Sequence, residues 1–223
     1  MADKKKELNI IAKLYDLKKD KIVNRKNDEC PDFILKHNDI LIGVEVTEYY
    51  LNEGDARLKN YPGYFEKVMN AQADKRDKDN LSVVNDICIF NEKTGEWELY
   101  KDKGILSKIH TLTDYIAIIK DIIEKKNEKA KQYDKSCDIN HLVIYDRESR
   151  LNQDSEINAA QVASRIGCEL KEIVSRSSFD IIFILFSVNK NDAALAIKRS
   201  GECYYNFKLN VLKDIDFLLI NNW

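Results

Sequence analysis

Little in this chain favours linkers or repeats: 223 residues hold only two prolines and seven glycines. That scarcity excludes collagen-like and low-complexity architectures and argues against long disorder. Cysteine is sparse and unpatterned. Cys30, Cys88, Cys137, Cys168 and Cys203 are odd in number and contain no C-x-x-C pair, so neither a disulfide framework nor a zinc cluster is expected, and the thiols read as reduced. Residues 1–7 are charged, with no apolar core of a leader peptide, and no apolar run approaches the ~20 residues that span a bilayer. A cytoplasmic location and no membrane association are therefore expected. An excess of positive charge is also missing. The net charge of −2 excludes a protein that coats nucleic acid through phosphate neutralisation, but not an enzyme that meets it in one cleft. There is no glycine-rich phosphate loop, no H-E-x-x-H, and no serine or cysteine in a nucleophile motif; His37, His110 and His141 stand isolated, which removes Walker-type nucleotide hydrolysis and zinc-protease chemistry.

Apolar residues make up 44% of the chain and charged residues 33%, enough for a sizeable core under a well-solvated surface. Ile10, Ile11, Leu14 and Leu17 recur at helical spacing within 3–19, with Asp3 as a cap. Residues 21–27 suggest a short strand. P-D-F-I-L-K at 31–36 and I-L-I-G-V-E-V-T-E at 40–48 flank the turn signal H-N-D and predict a β-hairpin. A polar stretch with Pro62-Gly63 and the apolar Phe65, Val68 and Met69 precedes a second hairpin at 83–90 and 96–100. A helix is expected at about 112–134, opened by a Thr111/Asp114 capping box, followed by a strand at 141–146, a helix at 156–176, a strand at 179–187 and one more at 202–212. The apolar D-F-L-L-I near the C-terminus stays unassigned. This order predicts one mixed α/β domain over 1–223, with 52–105 an insertion.

The first hairpin carries the chemistry. With its turn near Asn38, facing residues have numbers summing to 76 or 77, so Asp32 lies opposite Val44 or Glu45. Glu45 and Thr47 share one face, Val44 and Val46 the other. A glutamate inside I-L-I-G-V-E-V is costly without a partner. Asp32 beside it would add repulsion that a hard cation relieves, and Mg²⁺ is commonly held by one or two carboxylates plus water and substrate phosphate. The plainer alternative is an aspartate opening a strand and a glutamate on a half-exposed one.

E-C-P-D-F-I-L followed by G-V-E-V-T-E resembles the PD-(D/E)XK nuclease superfamily, in which Pro-Asp begins one core strand and an acidic-x-Lys ends the next. The matching positions are Pro31, Asp32, Glu45 and Thr47. The close match covers 31–48, and a looser match in element order covers 3–48 and 112–146. The resemblance implies a restriction-endonuclease-like mixed sheet flanked by helices, Mg²⁺-dependent cleavage of nucleic acid with DNA the expected substrate, Mn²⁺ as a substitute metal, and a place in restriction, defence or repair. It implies metal ligation by Asp32, Glu45 and the Val46 carbonyl. It also implies a third acidic residue from the first helix, best matched by Glu7, with Glu29 and Glu48 as alternatives. A helix-start glutamate favoured by the macrodipole accounts for Glu7 equally well.

Thr47 breaks the pattern, because it stands where the superfamily has lysine. The resemblance implies that the lysine can come from the following helix. On 112–134, Leu112, Ile116, Ile119 and Ile123 form a stripe that Lys126 continues; Lys129 lies on its flank and Lys125 opposite. Lys126 is thus the candidate catalytic cation, Lys129 the second choice, and Tyr133 a packing residue. Snorkelling at the core's edge is the competing account of Lys126. Lysine-rich runs at 4–6, 18–26 and 120–135 read as solvated faces; with the fold that the resemblance implies, the first and last would flank the cleft and meet phosphates. The alternative function is a nuclease-fold binding or regulatory module without catalysis, and assembly as a homodimer or with a partner subunit stays open.

Overall fold

The computed structural model describes residues 4–23, 31–50, 52–107, 111–131, 133, 137–146, 156–188 and 191–206. The chain forms two compact units, one of residues 1–49 and 116–223, the other of 50–115.

The larger unit is an α/β sandwich on a seven-stranded mixed sheet, in the order β1 (Lys21–Ile22), β2 (Phe33–His37), β3 (Ile40–Glu48), β6 (Ile139–Tyr145), β7 (Ile181–Val188), β8 (Asn191–Lys198), β9 (Cys203–Asn206). The β3–β6 and β6–β7 pairs are parallel and the other four antiparallel. Asn38 turns the β2–β3 hairpin with a left-handed φ of 54°, a conformation asparagine tolerates better than most residues. The resulting register, Phe33↔Val44 through His37↔Ile40, sums to 77. Gly43 is required by close approach, since a Cβ there would lie 2.5 Å from the Asn140 side-chain oxygen and 3.0 Å from Pro31.

Strand alternation gives the sheet two buried faces. Leu35, Ile42, Val44, Val46, Val143, Phe183 and Leu185 pack on one side with Ile10 and Ile11 of α1 (Lys4–Ile11) and with Leu14 and Tyr15. On the other face Leu142, Ile144, Ile182, Ile184, Leu195 and Ile197 are buried, as are the inward stripes of α4 (Leu112–Ala130; Ile116, Ile119, Ile123) and α5 (Glu156–Ser175; Ala163, Ile166, Leu170, Val174). Thr111 and Asp114 cap α4 reciprocally: the Thr111 N–H donates to Asp114 Oδ2 at 2.8 Å and the Asp114 N–H to Thr111 Oγ1 at 3.2 Å. No helix among the described residues is long and apolar enough to cross a membrane.

The smaller unit holds α2 (Glu53–Asn60), α3 (Tyr64–Met69), a 3-10 turn (Lys75–Asp77) and a long hairpin, β4 (Leu81–Asn91) with β5 (Glu96–Ser107), that forms a sheet of its own. Tyr64, Val68 and Leu81 make its small core. Asp77, nearly fully buried, is held by the Arg57 guanidinium and the Tyr64 hydroxyl.

Four sequence expectations are corrected. The first helix ends at Ile11, not 19, because the chain tightens into i→i+3 bonds (Lys13 N–H to Ile10 O, Leu14 N–H to Ile11 O) and the Asp16 side chain accepts the Lys18 N–H, a turn that competes with helix. The fourth helix ends at Ala130, not 134. Strand β8 and helix α2 were not anticipated. Asp3, Glu29, Cys30, the D-F-L-L-I segment, most of the strand expected at 21–27 and 207–212 of the last strand lie outside the described residues.

Candidate metal and phosphate site

The β2–β3 ladder ends at the Phe33↔Val44 pair. One step further, the Asp32 side chain takes over from the backbone, and its Oδ2 accepts the Val46 N–H at 2.8 Å. The N–H and C=O of one residue leave a strand on the same edge, so the Val46 carbonyl also faces the Asp32 side. Glu45, between these groups along β3, is fully buried. Its strand neighbour across the parallel ladder is Leu142, which offers no charge.

Compensation comes from α4. Lys126 Nζ and Lys129 Nζ each lie 2.7 Å from the same atom, Glu45 Oε1. Three residues apart on the helix, they reach one point from adjacent rows. The last turn of α4 is pinned by Asn127, whose Oδ1 accepts from Ser177 Oγ at 2.8 Å and the Ser178 N–H at 3.1 Å. Burial pushes the Glu45 carboxyl up, but the hydrogen bond and charge of Lys126, with hydrogen bonds from Lys129 and Tyr133, outweigh it and hold the group below its ordinary range. Glu45 Oε2 is buried and makes no hydrogen bond of good geometry among the described residues. Tyr133 is buried edge-on to Phe179, with ring centroids 6.3 Å apart. Lys125 points away and pairs with Asp121 at 2.6 Å.

The first helix adds a second layer. Lys4 Nζ lies 3.2 Å from Asp32 Oδ1 and 3.3 Å from Glu7 Oε2. Burial and repulsion from Asp32, with a smaller contribution from Glu45, raise the Glu7 carboxyl against the pull of Lys4. Glu7 therefore lies within electrostatic range of both Asp32 and Glu45. Glu48, the alternative third acid, pairs with Lys6 at 2.5 Å, and His37 is engaged by Asp20 at 2.5 Å. Thr47 is half-buried on β3, and the cations that reach Glu45 come from the helix.

Comparison with protein-family models, curated proteins and solved structures finds no match. The chemistry of the site therefore rests on its own donor set. Among the described residues no group of three or more His, Cys, Asp and Glu is placed to hold a metal. Two carboxylates and a backbone carbonyl are nevertheless an all-oxygen set suited to a hard cation that completes its shell with water and phosphate oxygens. The buried Oε2 of Glu45, without a hydrogen bond of good geometry among the described residues, fits that role.

Two functional candidates had weak sequence signals. Lys4 belongs to a run that reads as solvated surface; its i,i+3 spacing to Glu7 was the available clue. Lys129 was ranked below Lys126 because it lies on the flank of the stripe, and the 126/129 spacing was the clue that both can reach one atom.

Proposed function

We propose that this chain is a divalent-metal-dependent nuclease of restriction-endonuclease-like fold that hydrolyses phosphodiester bonds, with DNA as substrate. The observation that carries the reading is Glu45: a fully buried carboxylate on β3, next in sequence to the Val46 N–H that Asp32 accepts, with two helix-borne ammoniums on one oxygen and no hydrogen bond of good geometry on the other among the described residues. Asp32, Glu45 and the Val46 carbonyl would hold Mg²⁺ or Mn²⁺, with Glu7 supporting the site through water. A divalent ion, when bound, would supply an acidified water and neutralise phosphate charge. Lys126 stands on the α4 side of the site, paired with Glu45 at 2.7 Å, where its ammonium would stabilise negative charge gathering on the phosphate oxygens; such donors are worth ~3–4 kcal/mol each. Water oxygen would bond to phosphorus as the bond to the leaving sugar oxygen breaks, the water's proton passing to solvent and the leaving oxygen taking up a proton.

A second reading, a nuclease-fold binding module without catalysis, is favoured by one feature. Asp32 and Glu45 are already matched by ammoniums, so the cluster can persist as a structural ion network. The discriminating experiment is incubation of the purified chain with plasmid DNA and Mg²⁺, beside Asp32→Asn and Glu45→Gln. Cleavage lost in both variants supports the nuclease. DNA binding without cleavage in any metal supports the module.

A further inference from the structure

We infer that Lys129 is a phosphate-binding residue held in reserve on Glu45, released toward the nucleic-acid backbone when a divalent cation takes the carboxylate; this rests on the nuclease reading above. The argument is one of charge. Among the described residues the ion pairs form two groups, Lys4 with Glu7 and Asp32, and Glu45 with Lys126 and Lys129. Glu45 is thus matched by two ammoniums before any metal arrives. A divalent cation adds two positive charges at a fully buried carboxylate, a placement that low-dielectric surroundings penalise unless a cation moves or an anion enters. A phosphodiester supplies the anion, and a lysine leaving Glu45 supplies the movement.

The helix decides which lysine moves. Lys126 continues the buried Ile119–Ile123 row, and its side chain is 22% exposed. Lys129 is 39% exposed and sits one residue from the end of α4. Its ammonium can swing to solvent-side phosphate with less unpacking than that of Lys126, the more buried of the two. Both now share one oxygen, so losing either leaves Glu45 hydrogen-bonded to the other.

The inference predicts that metal and nucleic acid bind cooperatively and that Lys129 couples them. Mn²⁺ binding is read by electron paramagnetic resonance, alone and with a phosphorothioate duplex that resists cleavage; duplex binding is read in Ca²⁺ across a salt series. Lys129→Met is expected to tighten Mn²⁺ binding in the absence of DNA several-fold, because a competing cation is gone. It should also weaken duplex binding and reduce the salt slope by about one ion. Lys129→Gln should behave likewise if Met perturbs folding, and Lys125→Met, on the far face, should match wild type. Unchanged metal affinity and salt slope in both Lys129 variants, with wild type binding both ligands, would overturn the assignment of Lys129 and leave the nuclease reading standing. Wild type binding neither ligand overturns the nuclease reading and this inference with it.

Discussion

Sharing of Glu45 by two lysines has an energetic signature that a set of independent ion pairs lacks. Replacing Lys126 by Met keeps most of the aliphatic stem and removes one charge-assisted hydrogen bond, worth ~1.5–3 kcal/mol in general. Lys129 still holds Glu45 Oε1 at 2.7 Å, so the expected loss is near the bottom of that range. Replacing Lys129, the more exposed partner, should cost only about 0–1 kcal/mol, because solvent screens it and Lys126 remains. The double replacement is different: it strands a fully buried carboxylate without an ammonium, a change of ~3–5 kcal/mol. The double variant should therefore lose about 2 kcal/mol more than the two single losses combined. Amide hydrogen exchange on β3 and β6 measures this in the larger unit alone. Adding Glu45→Gln to the double variant should recover part of the loss by removing the stranded charge. Additivity within ~0.5 kcal/mol, the usual result for independent sites, would refute the shared-carboxylate account.

Two further outcomes follow from other parts of the molecule. His141 is fully buried on β6, its Nδ1 2.7 Å from the Tyr15 hydroxyl, and burial pushes its pKa down to about 3. The folded state thus holds it neutral while the unfolded chain protonates near pH ~6.5. Its contribution is intact above that pH and is lost as pH falls toward the folded value, by up to ~1.4 kcal/mol per pH unit. His141→Gln should be less stable at pH 7 but show a flatter acid limb between pH 6 and 3 in chemical denaturation; an unchanged slope would exclude His141 as its source. In the smaller unit, Arg57→Met leaves Asp77 buried with only the Tyr64 hydroxyl, and should cost ~3 kcal/mol, read as faster exchange of β4 amides. Exchange at the wild-type rate would show that Asp77 does not depend on Arg57.

What the sequence revealed tracks how local the determining physics is. The β2–β3 hairpin was legible because alternation, the H-N-D turn and the hydrophobic run agree, and its register sets Phe33 opposite Val44, one step short of Asp32 and Glu45, without tertiary information. Helix α4 was legible from its stripe and capping box, and the stripe identified Lys126. Strand β8 was not. In N-D-A-A-L-A-I-K six consecutive residues, from Ala193 to Lys198, are buried, so alternation disappears, and alanine carries no β preference to replace it. Helix α2 has almost no apolar stripe. It is held by the Asn52 cap, whose Oδ1 accepts the Asp55 N–H at 2.9 Å, and by the Arg57–Asp77 pair, contacts that a periodicity reading does not see. The pairing of Lys4 with Asp32 was not legible for a related reason: the two are 28 residues apart, and only the packing of α1 beside the hairpin brings them together.

The most direct test of the central claim is a crystal of the protein grown with a non-cleavable duplex and Mn²⁺, with anomalous scattering recorded at the manganese edge. An anomalous peak between the Asp32 and Glu45 carboxylates, beside a backbone phosphate and absent in Glu45→Gln, is the predicted result. Bound duplex with no peak at those carboxylates at saturating Mn²⁺, and both lysines still on Glu45, would contradict it.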